Sequence, residues 1–188
     1  MLMTDLEIKR MQIADNAITP YFSENQQPAS YDLTLSDTYL CYGRRDPLTK
    51  DGYIIDAANR ELGPNILLHK QKMFDEEFVV EPGQFVLADT VETIKLPNDV
   101  AARFEGKSTL GRFGLTTHIT AGFIDPGFEG TITLEIKNDN CVPIKLTAGM
   151  AIGQICFYQL NHPVSRPYGS HGLGSHYQHQ SGPTFPTP

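Results

Sequence analysis

The sequence predicts a mainly β fold, a sandwich or barrel built from short strands, and two patterns carry this prediction. From Phe78 onward, short apolar runs recur between turn-forming segments such as Glu81-Pro82-Gly83 and Asp125-Pro126-Gly127, and evenly spaced strands with turns are typical of sandwiches and barrels. Within that region, residues 131–136 alternate polar and apolar side chains, which is the period of a strand with one buried face. A length of 188 residues fits a single domain with a sizeable core.

A short helix is predicted at the N-terminus. Thr4 and Glu7 have the spacing of a capping box, in which each side chain bonds the backbone N–H of the other residue. Leu6, Met11 and Ile13 are expected to form the apolar stripe of this helix. The helix should end before Pro20.

The next predicted strand lies within residues 27–40. Tyr31, Leu33 and Leu35 alternate with polar residues there, so one face is buried and the other is wet or functional. Residues 43–76 are rich in charge and show no sustained period, with turn signals at residues 50–52 and 63–64. We expect a long excursion with a brief strand or helical turn in this segment.

The chain is expected to divide into a β-barrel domain over residues 1–160, which includes the N-terminal helix, and a C-terminal tail over residues 161–188. The tail is rich in His, Gly, Ser, Pro and Gln, a composition that cannot build a core of its own. Composition and position favour a frayed terminus. A lid that orders over a bound ligand is the alternative.

Composition excludes several classes of partner. The formal net charge is −7, from 22 acidic and 15 basic residues, whereas a general nucleic-acid binder presents a basic face to the phosphate backbone. Cys41, Cys141 and Cys156 form no Cys-x-x-Cys pair, so the sequence indicates no disulfide framework or zinc knuckle, and a cytoplasmic location is expected. No apolar run approaches the roughly 18–20 residues of a membrane span, so no membrane partner is expected.

Residues 106–112 are a candidate phosphate-binding segment. Lys107 and Arg112 offer positive charge and Ser108 offers a hydroxyl donor, groups that suit an oligophosphate. The run Gly-Lys-Ser would close a P-loop motif, but Ala101 stands where that motif needs its first glycine. A short phosphate-gripping turn and an ordinary charged surface loop both remain open at this point.

Two carboxylates lie close to this segment in the sequence. Glu135 points to the opposite side of the predicted strand from the apolar residues, so it is either an exposed strand residue or, in a subunit cleft, a general acid and base. Asp125 precedes Pro126-Gly127, so it is either a turn initiator that bonds its own downstream backbone or a ligand for a sugar hydroxyl or a catalytic water.

Zinc chemistry and serine hydrolysis both lack their motifs. Zinc-dependent deaminases carry His-x-Glu with Pro-Cys-x-x-Cys, and neither motif is present. The spacing of His171, His176 and His179 matches no standard metal site. No Gly-x-Ser-x-Gly elbow accompanies His118, so the sequence does not support a serine hydrolase.

With these residues in view, the chain resembles the dCTP deaminases of the trimeric dUTPase-like superfamily. The match runs from Gln-Pro-Ala-Ser-Tyr-Asp-Leu at residues 27–33 to Tyr-Gln-x-Gln-x-Gly-Pro at residues 177–183, and it is densest over residues 104–135. The resemblance implies a distorted β-barrel or jelly roll, a homotrimer with active sites at the subunit interfaces, and a C-terminal lid. It therefore favours the lid over the frayed terminus.

The resemblance also implies roles for individual residues. Glu135 would take a proton from the water that attacks C4 of cytosine, while Ser108, Arg112 and the backbone near Ala121 would hold that water or the tetrahedral centre in place of zinc. Mg²⁺ would accompany the triphosphate, held by phosphate oxygens and water and by no ligand from the chain. The positions that match nucleotide contacts are Lys107, Ser108, Thr109, Arg112, His118, Ile119, Asp125, Tyr168, His176, Tyr177 and Gln180.

Two positions depart from the family pattern. Thr109 replaces a more usual serine, and His176 stands where a lysine commonly precedes the tail tyrosine. Because histidine changes charge near neutrality, we hypothesise that lid closure depends on pH. The Michaelis constant for the nucleotide would then rise between about pH 6 and 8 more steeply than in a His176→Lys variant.

The resemblance leaves one main question, which is whether the enzyme only deaminates dCTP or also hydrolyses the dUTP that it forms. Ala-Gly-Phe-Ile-Asp at residues 121–125 is similar to the segment of dUTPases and of bifunctional deaminases that continue to dUMP and pyrophosphate, whereas members that only deaminate more often carry a bulkier polar residue at Gly122. The sequence favours the bifunctional enzyme, with Asp125 at the phosphate step. A plain dUTPase and a catalytically silent nucleotide-sensing trimer are the alternatives. The resemblance also makes dTTP a candidate inhibitor.

Overall fold

A computed structural model describes residues 1–45, 52, 54–73 and 75–186 of the chain. Its N-terminal part contains α1 (Asp5–Asp15), β1 (Ile18–Thr19), a 3-10 turn (Ser23–Asn25) and the long strand β2 (Tyr31–Arg44). Then come β3 (Ile55–Asp56), β4 (Glu61–Leu62), β5 (Ile66–Lys72), β6 (Glu77–Val80), β7 (Phe85–Lys95) and β8 (Val100–Gly106). The remaining elements are α2 (Ser108–Arg112), β9 (Leu115–Thr116), β10 (Phe123–Ile124), β11 (Glu129–Asn138), β12 (Ile144–Thr147) and β13 (Ala151–Gln159).

The prediction of a mainly β fold is confirmed, and one curled sheet forms its body. Nine strands join in this sheet, with the order β10-β8-β13-β2-β7-β11-β9 and with β1 and β5 added to β7 and β2. The first half of β2 pairs with β13 and the second half pairs with β7, and the register shifts between Leu35 and Tyr39. A shift of this kind bends a strand and increases its twist, so β2 carries the sheet around the core.

The core lies on the concave side of this sheet. In a strand, every second side chain points to the same face of the sheet. The strand predicted within residues 27–40 follows this rule, because Tyr31, Leu33 and Leu35 are all fully buried in the core. The largest fully buried side chains come from α1, β1, β2, β7, β11, β12 and β13: Ile8, Ile18, Tyr31, Leu33, Leu35, Ile94, Leu134, Ile136, Leu146, Ile152, Ile155 and Phe157.

The N-terminal helix begins where the sequence places it, but its buried face differs from the prediction. Thr4 caps α1 in a capping box with Glu7. Ile8 and Met11 face the core, whereas Leu6 and Ile13 are 61% and 78% exposed. The predicted stripe was wrong because residues 6 and 13, seven positions apart, share one helix face that residue 11 does not share.

The excursion after β2 contains a strand, as expected. Strand β5 pairs with β2 over Thr38–Arg44, and β3 and β4 form a separate two-stranded hairpin. The turn predicted at residues 50–52 falls largely outside the described residues. Among the described residues, no helix is long and apolar enough to span a bilayer.

Candidate active site

One cavity of about 240 Å³ lies between the β10–β11 region and the C-terminal tail. Most of its walls come from two parts of the chain that are far apart in sequence, residues 118–135 and residues 168–186, and Leu87 and Phe104 complete them. The polar or ionisable side chains among its lining residues are His118, Asp125, Thr133, Glu135, Tyr168, Tyr177, Gln180 and Thr184. The structure thus brings together seven of the positions singled out in the sequence: His118, Ala121, Asp125, Glu135, Tyr168, Tyr177 and Gln180.

Glu135 lies on β11 with its side chain in the cavity wall. Its neighbours Leu134 and Ile136 are fully buried on the other face of the strand, so strand alternation alone turns Glu135 toward the cavity. Its Oε2 accepts a hydrogen bond of 2.9 Å from the backbone N–H of Thr120. Within the described chain Oε1 has no protein partner, so one carboxylate oxygen is fixed and the other can meet a water or a ligand.

Asp125 begins the predicted turn before β11. The backbone N–H of Phe128 donates to the Asp125 carbonyl at 3.2 Å, and Gly127 has a φ of +87° that suits glycine. The Asp125 carboxylate is exposed to the cavity and forms no hydrogen bond with any residue that the structure describes. The turn is therefore closed by the backbone, which leaves the side chain available for a ligand.

The segment from His118 to Gly122 forms another wall of the cavity under tight packing. Ala121 has a φ of +58°, in the left-handed region that non-glycine residues seldom adopt, and such residues cluster at functional sites. A Cβ built at Gly122 would lie 2.8 Å from the carbonyl oxygen of Phe104. The ring of His118 packs edge-on against Phe104, and its buried Nδ1 has no partner among the described residues.

The C-terminal tail lines one side of the cavity and is held there by hydrogen bonds to β11 and to the turn before it. Gln180 exchanges backbone and side-chain bonds with Thr131: the Thr131 N–H donates to the Gln180 carbonyl at 3.1 Å, and Gln180 Nε2 donates to the Thr131 carbonyl at 2.6 Å. The Tyr168 N–H donates to the Pro126 carbonyl at 2.8 Å, and the Tyr168 ring packs on Phe128. The tail thus follows the edge of the cavity through a series of turns.

Helix α2 stands apart from this cavity. Ser108, Thr109 and Arg112 are exposed on it, and neither they nor Lys107, Ile119 and His176 belong to the cavity lining. Lys107 Nζ instead donates to Asp32 Oδ2 at 2.7 Å, in a pair whose side chains are 29% and 13% exposed. In a single chain, the candidate phosphate segment and the Glu135 cavity are therefore separate surfaces.

The sequence analysis missed Thr133 and Thr184, which the structure brings to the site, and the contact of Asp32 with Lys107 outside it. Asp32 is one of the polar residues that alternate with Tyr31 and Leu33, and this alternation does not indicate a cation partner. Thr133 and Thr184, which line the cavity and lie 3.2 Å apart at their hydroxyl oxygens, carried no signal beyond their polarity. Pairing between β11 and the tail, which no local pattern reveals, joins these two residues.

Comparison with known proteins gives a family match. The family model described as dCTP deaminase-like matches residues 2–160. A protein named "dCTP deaminase, dUMP-forming" from Bifidobacterium longum (strain DJO10A) is 45% identical over 190 residues, which cover 98% of this chain and 92% of the relative. The protein of the same name from Thermobifida fusca (strain YX) is 46% identical over 185 residues, covering 98% and 91%.

A solved structure supports the same assignment. The structure of 2′-deoxycytidine 5′-triphosphate deaminase from Agrobacterium tumefaciens matches with a TM-score of 0.63 and 25% identity, covering 88% of this chain and 49% of that one. This chain therefore spans about half the length of that protein. The match confirms the mainly β fold, and the family match confirms the resemblance to dCTP deaminases found in the sequence. The chain belongs to the dCTP deaminase-like family.

Proposed function

We propose that this protein deaminates dCTP to dUTP and ammonia and then hydrolyses dUTP to dUMP and pyrophosphate. The observation that carries the proposal is that Glu135 and Asp125 lie in the wall of one cavity. Each has at least one carboxylate oxygen that accepts no hydrogen bond from any described residue. Relatives about 45% identical along nearly the whole chain are named as dUMP-forming, which supports the second step. A plain dUTPase would have no use for a proton-shuttling Glu135.

In the first step, Glu135 moves protons while water replaces the amino group. Its free Oε1 takes a proton from water as the oxygen adds to C4 of cytosine, and the proton passes to N3. Glu135 then carries the hydroxyl proton of the tetrahedral centre to the amino nitrogen, the C4–N bond breaks and ammonia leaves. The Thr120 N–H at 2.9 Å holds the carboxylate in place during both transfers.

In the second step, Asp125 serves the phosphate reaction. A water adds to the α-phosphorus of dUTP, the bond to the bridging oxygen breaks, and pyrophosphate leaves. Asp125 orients this water and accepts its proton. Its carboxylate suits this role because it is exposed to the cavity and has no hydrogen-bond partner among the described residues. The tight approach of Gly122 to the Phe104 carbonyl supports the proposal that a small residue is needed there.

A homotrimer would complete the site. Ser108, Thr109 and Arg112 are exposed on α2 and do not line the cavity of their own chain, so we propose that they and Lys107 reach the cavity of a neighbouring subunit. Phe113, Ile119 and Phe123, which follow α2 in the sequence, are 57%, 47% and 60% exposed. Large apolar side chains exposed in this way suit burial at a subunit interface.

The remaining nucleotide contacts would come from the cavity and the tail. We assign the base and sugar to His118, Ile119, Ala121 and Asp125, and the phosphates to Tyr168, His176, Tyr177 and Gln180. Mg²⁺ would neutralise phosphate charge when it is bound, held mainly by the triphosphate and water, and the carboxylates of Asp125 and Glu135 in the largely apolar lining could accept hydrogen bonds from its water shell. A cytoplasmic location and the division at residue 160 are parts of the same proposal.

Product analysis tests the proposed function. The protein is incubated with dCTP and Mg²⁺, and ammonia, dUTP, dUMP and pyrophosphate are measured. Ammonia with equal amounts of dUMP and pyrophosphate is the expected result. Ammonia with dUTP alone would remove the second step, pyrophosphate from dUTP without ammonia from dCTP would indicate a plain dUTPase, and nucleotide binding without any product would indicate a silent sensor.

A further inference from the structure

The cavity lacks fixed positive charge of its own. None of the residues that line it in the described chain is a lysine or an arginine, and two of them are carboxylates. A nucleoside triphosphate needs charge-assisted donors around its phosphates. In the proposed trimer, Arg112 and Lys107 of a neighbouring subunit would bring positive charge to the cavity, but Lys107 is already paired with Asp32 at 2.7 Å. A further cation close to the tail would therefore add to binding.

Arg60 supplies such a cation next to the tail. Its Nη1 lies 3.1 Å from Nε2 of His176, a residue 116 positions away in sequence. Because a guanidinium group has donors and no acceptor, the His176 nitrogen accepts this bond. The His176 ring lies 6.2 Å from the ring of Tyr177, which lines the cavity. The side chains of His176 and Tyr177 thus lie between the guanidinium of Arg60 and the cavity.

The local structure around Arg60 fixes its position. Arg60 belongs to the turn between β3 and β4, where Asp56 Oδ1 accepts hydrogen bonds of 3.0 Å from the N–H groups of Ala58 and Asn59. The bond from Asn59 is the largest cause that lowers the pKa of Asp56. Arg60 itself has a φ of +57°, which a non-glycine residue seldom adopts without support from its surroundings.

The charge of Arg60 is also available. No carboxylate lies within 4.0 Å of its guanidinium among the residues that the structure describes. The nearby Asp56 is engaged with the backbone and side chain of its own turn. The planar guanidinium can bind two phosphate oxygens at once, which a histidine cannot do.

We propose that Arg60 is a nucleotide-binding residue that donates to the outer phosphates of the bound triphosphate when the tail lies over the cavity. The proposal rests on the proposed function, because the phosphates are expected beside His176 and Tyr177. It assigns to the β3–β4 hairpin a part in substrate binding. Arg60 provides at the lid the permanent charge that a histidine at position 176 does not provide.

Substitution of Arg60 tests this assignment. Arg60→Gln should raise the Michaelis constants for dCTP and dUTP about 10-fold to 100-fold, the usual effect of losing a hydrogen bond to a charged group. The turnover number should change less than about threefold, because the phosphate contact is made equally in ground and transition states. Arg60→Lys should recover part of the loss, and the dependence of the Michaelis constant on salt should be weaker in Arg60→Gln.

Three further variants provide a control and separate direct contact from an effect through His176. Arg10→Gln changes an exposed arginine on α1 and should keep the wild-type constants. The His176→Ala variant and the His176→Ala, Arg60→Gln double variant complete a cycle, in which direct contact predicts that Arg60→Gln still weakens binding when His176 is absent. No further loss in the double variant, or equal constants for Arg60→Gln and Arg10→Gln, would overturn the proposal.

Binding of a non-hydrolysable α,β-imido analogue of dUTP keeps this test separate from catalysis. Calorimetry with the analogue should show the same 10-fold to 100-fold weakening for Arg60→Gln. If the wild-type protein binds the analogue but releases no ammonia from dCTP, the proposed function fails while the role of Arg60 is still measured. Wild-type melting of Arg60→Gln shows that the variant is folded.

Discussion

The Glu135 carboxylate and the backbone N–H of Thr120 form a hydrogen bond of 2.9 Å across the wall of the cavity. The bond joins the middle of β11 to the segment before β10, so the position of the carboxylate follows from two neighbouring elements and not from its own strand alone. A backbone donor cannot be removed by a side-chain change at Thr120. The geometry of Glu135 is therefore more robust than that of a carboxylate held by another side chain.

Glu135→Gln should abolish most deamination while substrate binding persists. The amide oxygen can still accept from Thr120, but the side chain can no longer carry a proton. We expect the turnover number for ammonia release to fall at least about 100-fold, with the dCTP dissociation constant within about threefold of wild type. Glu105→Gln on β8, an exposed residue paired with Arg103, serves as the control. Near-normal ammonia release from Glu135→Gln would disprove the assignment.

Gly122→Ala should damage the site through packing. The added Cβ would lie 2.8 Å from the Phe104 carbonyl oxygen, and the Phe104 N–H donates to the Gly122 carbonyl at 2.8 Å in the same contact. The strand segment must move, at a cost of about 1–3 kcal/mol in unfolding free energy. Chemical denaturation measures the unfolding free energy of the variant, and a kinetic assay measures its rate of dUMP formation. If both equal the wild-type values, Gly122 is not closely packed against Phe104.

Removal of residues 171–188 should lower turnover without unfolding the domain. The deleted segment includes Tyr177, Gln180 and Thr184 of the cavity wall, whereas its contacts to the body are mainly hydrogen bonds to the edge of β11. Steady-state kinetics should show a large loss of turnover, while circular dichroism keeps the β spectrum and the oligomeric state is unchanged. Loss of the folded state on truncation would mean that the tail is part of the core and not a lid.

Asp89→Asn should stabilise the protein at neutral pH more than at acidic pH. Asp89 is 3% exposed, and burial raises the pKa of its carboxyl above the unfolded value. The folded state therefore binds this proton more tightly, so the stability that it contributes is present below the unfolded pKa and is lost as the pH rises through the folded pKa. Asparagine carries no charge, so the gain relative to wild type should grow with pH, on the order of 1 kcal/mol.

Thermal melting from pH 4 to pH 8 measures this difference. Asp37→Asn is the matched control, because Asp37 is an exposed carboxylate on β2 whose pKa is lowered by its hydrogen bond to Lys72. The control should show no gain that grows with pH. An Asp89→Asn variant that is less stable than wild type at pH 8 would show that the bond between Ser36 and Asp89 matters more than the buried charge.

Local patterns account for the parts of the fold that the sequence predicted correctly. The capping box at Thr4, the turn at Asp125 and the alternation around Glu135 each depend on residues within a few positions of one another. The apolar stripe of α1 was predicted wrongly because Leu6 and Ile13 are apolar but lie on the outer face. Which face is buried depends on the sheet that the helix packs against, and a helix of this length does not encode that choice clearly.

The sequence by itself determined the family, the strand that carries Glu135 and the turn that carries Asp125, because motifs and short-range periodicity record these directly. Only the tertiary structure decided which residues share a cavity, since Glu135 and Gln180 meet through the pairing of the tail with β11. The same is true of the Lys107–Asp32 pair and of the Arg60–His176 contact, which join residues 75 and 116 positions apart. Such contacts depend on strand register and on the path of the tail, and these are set by the packing of the whole chain.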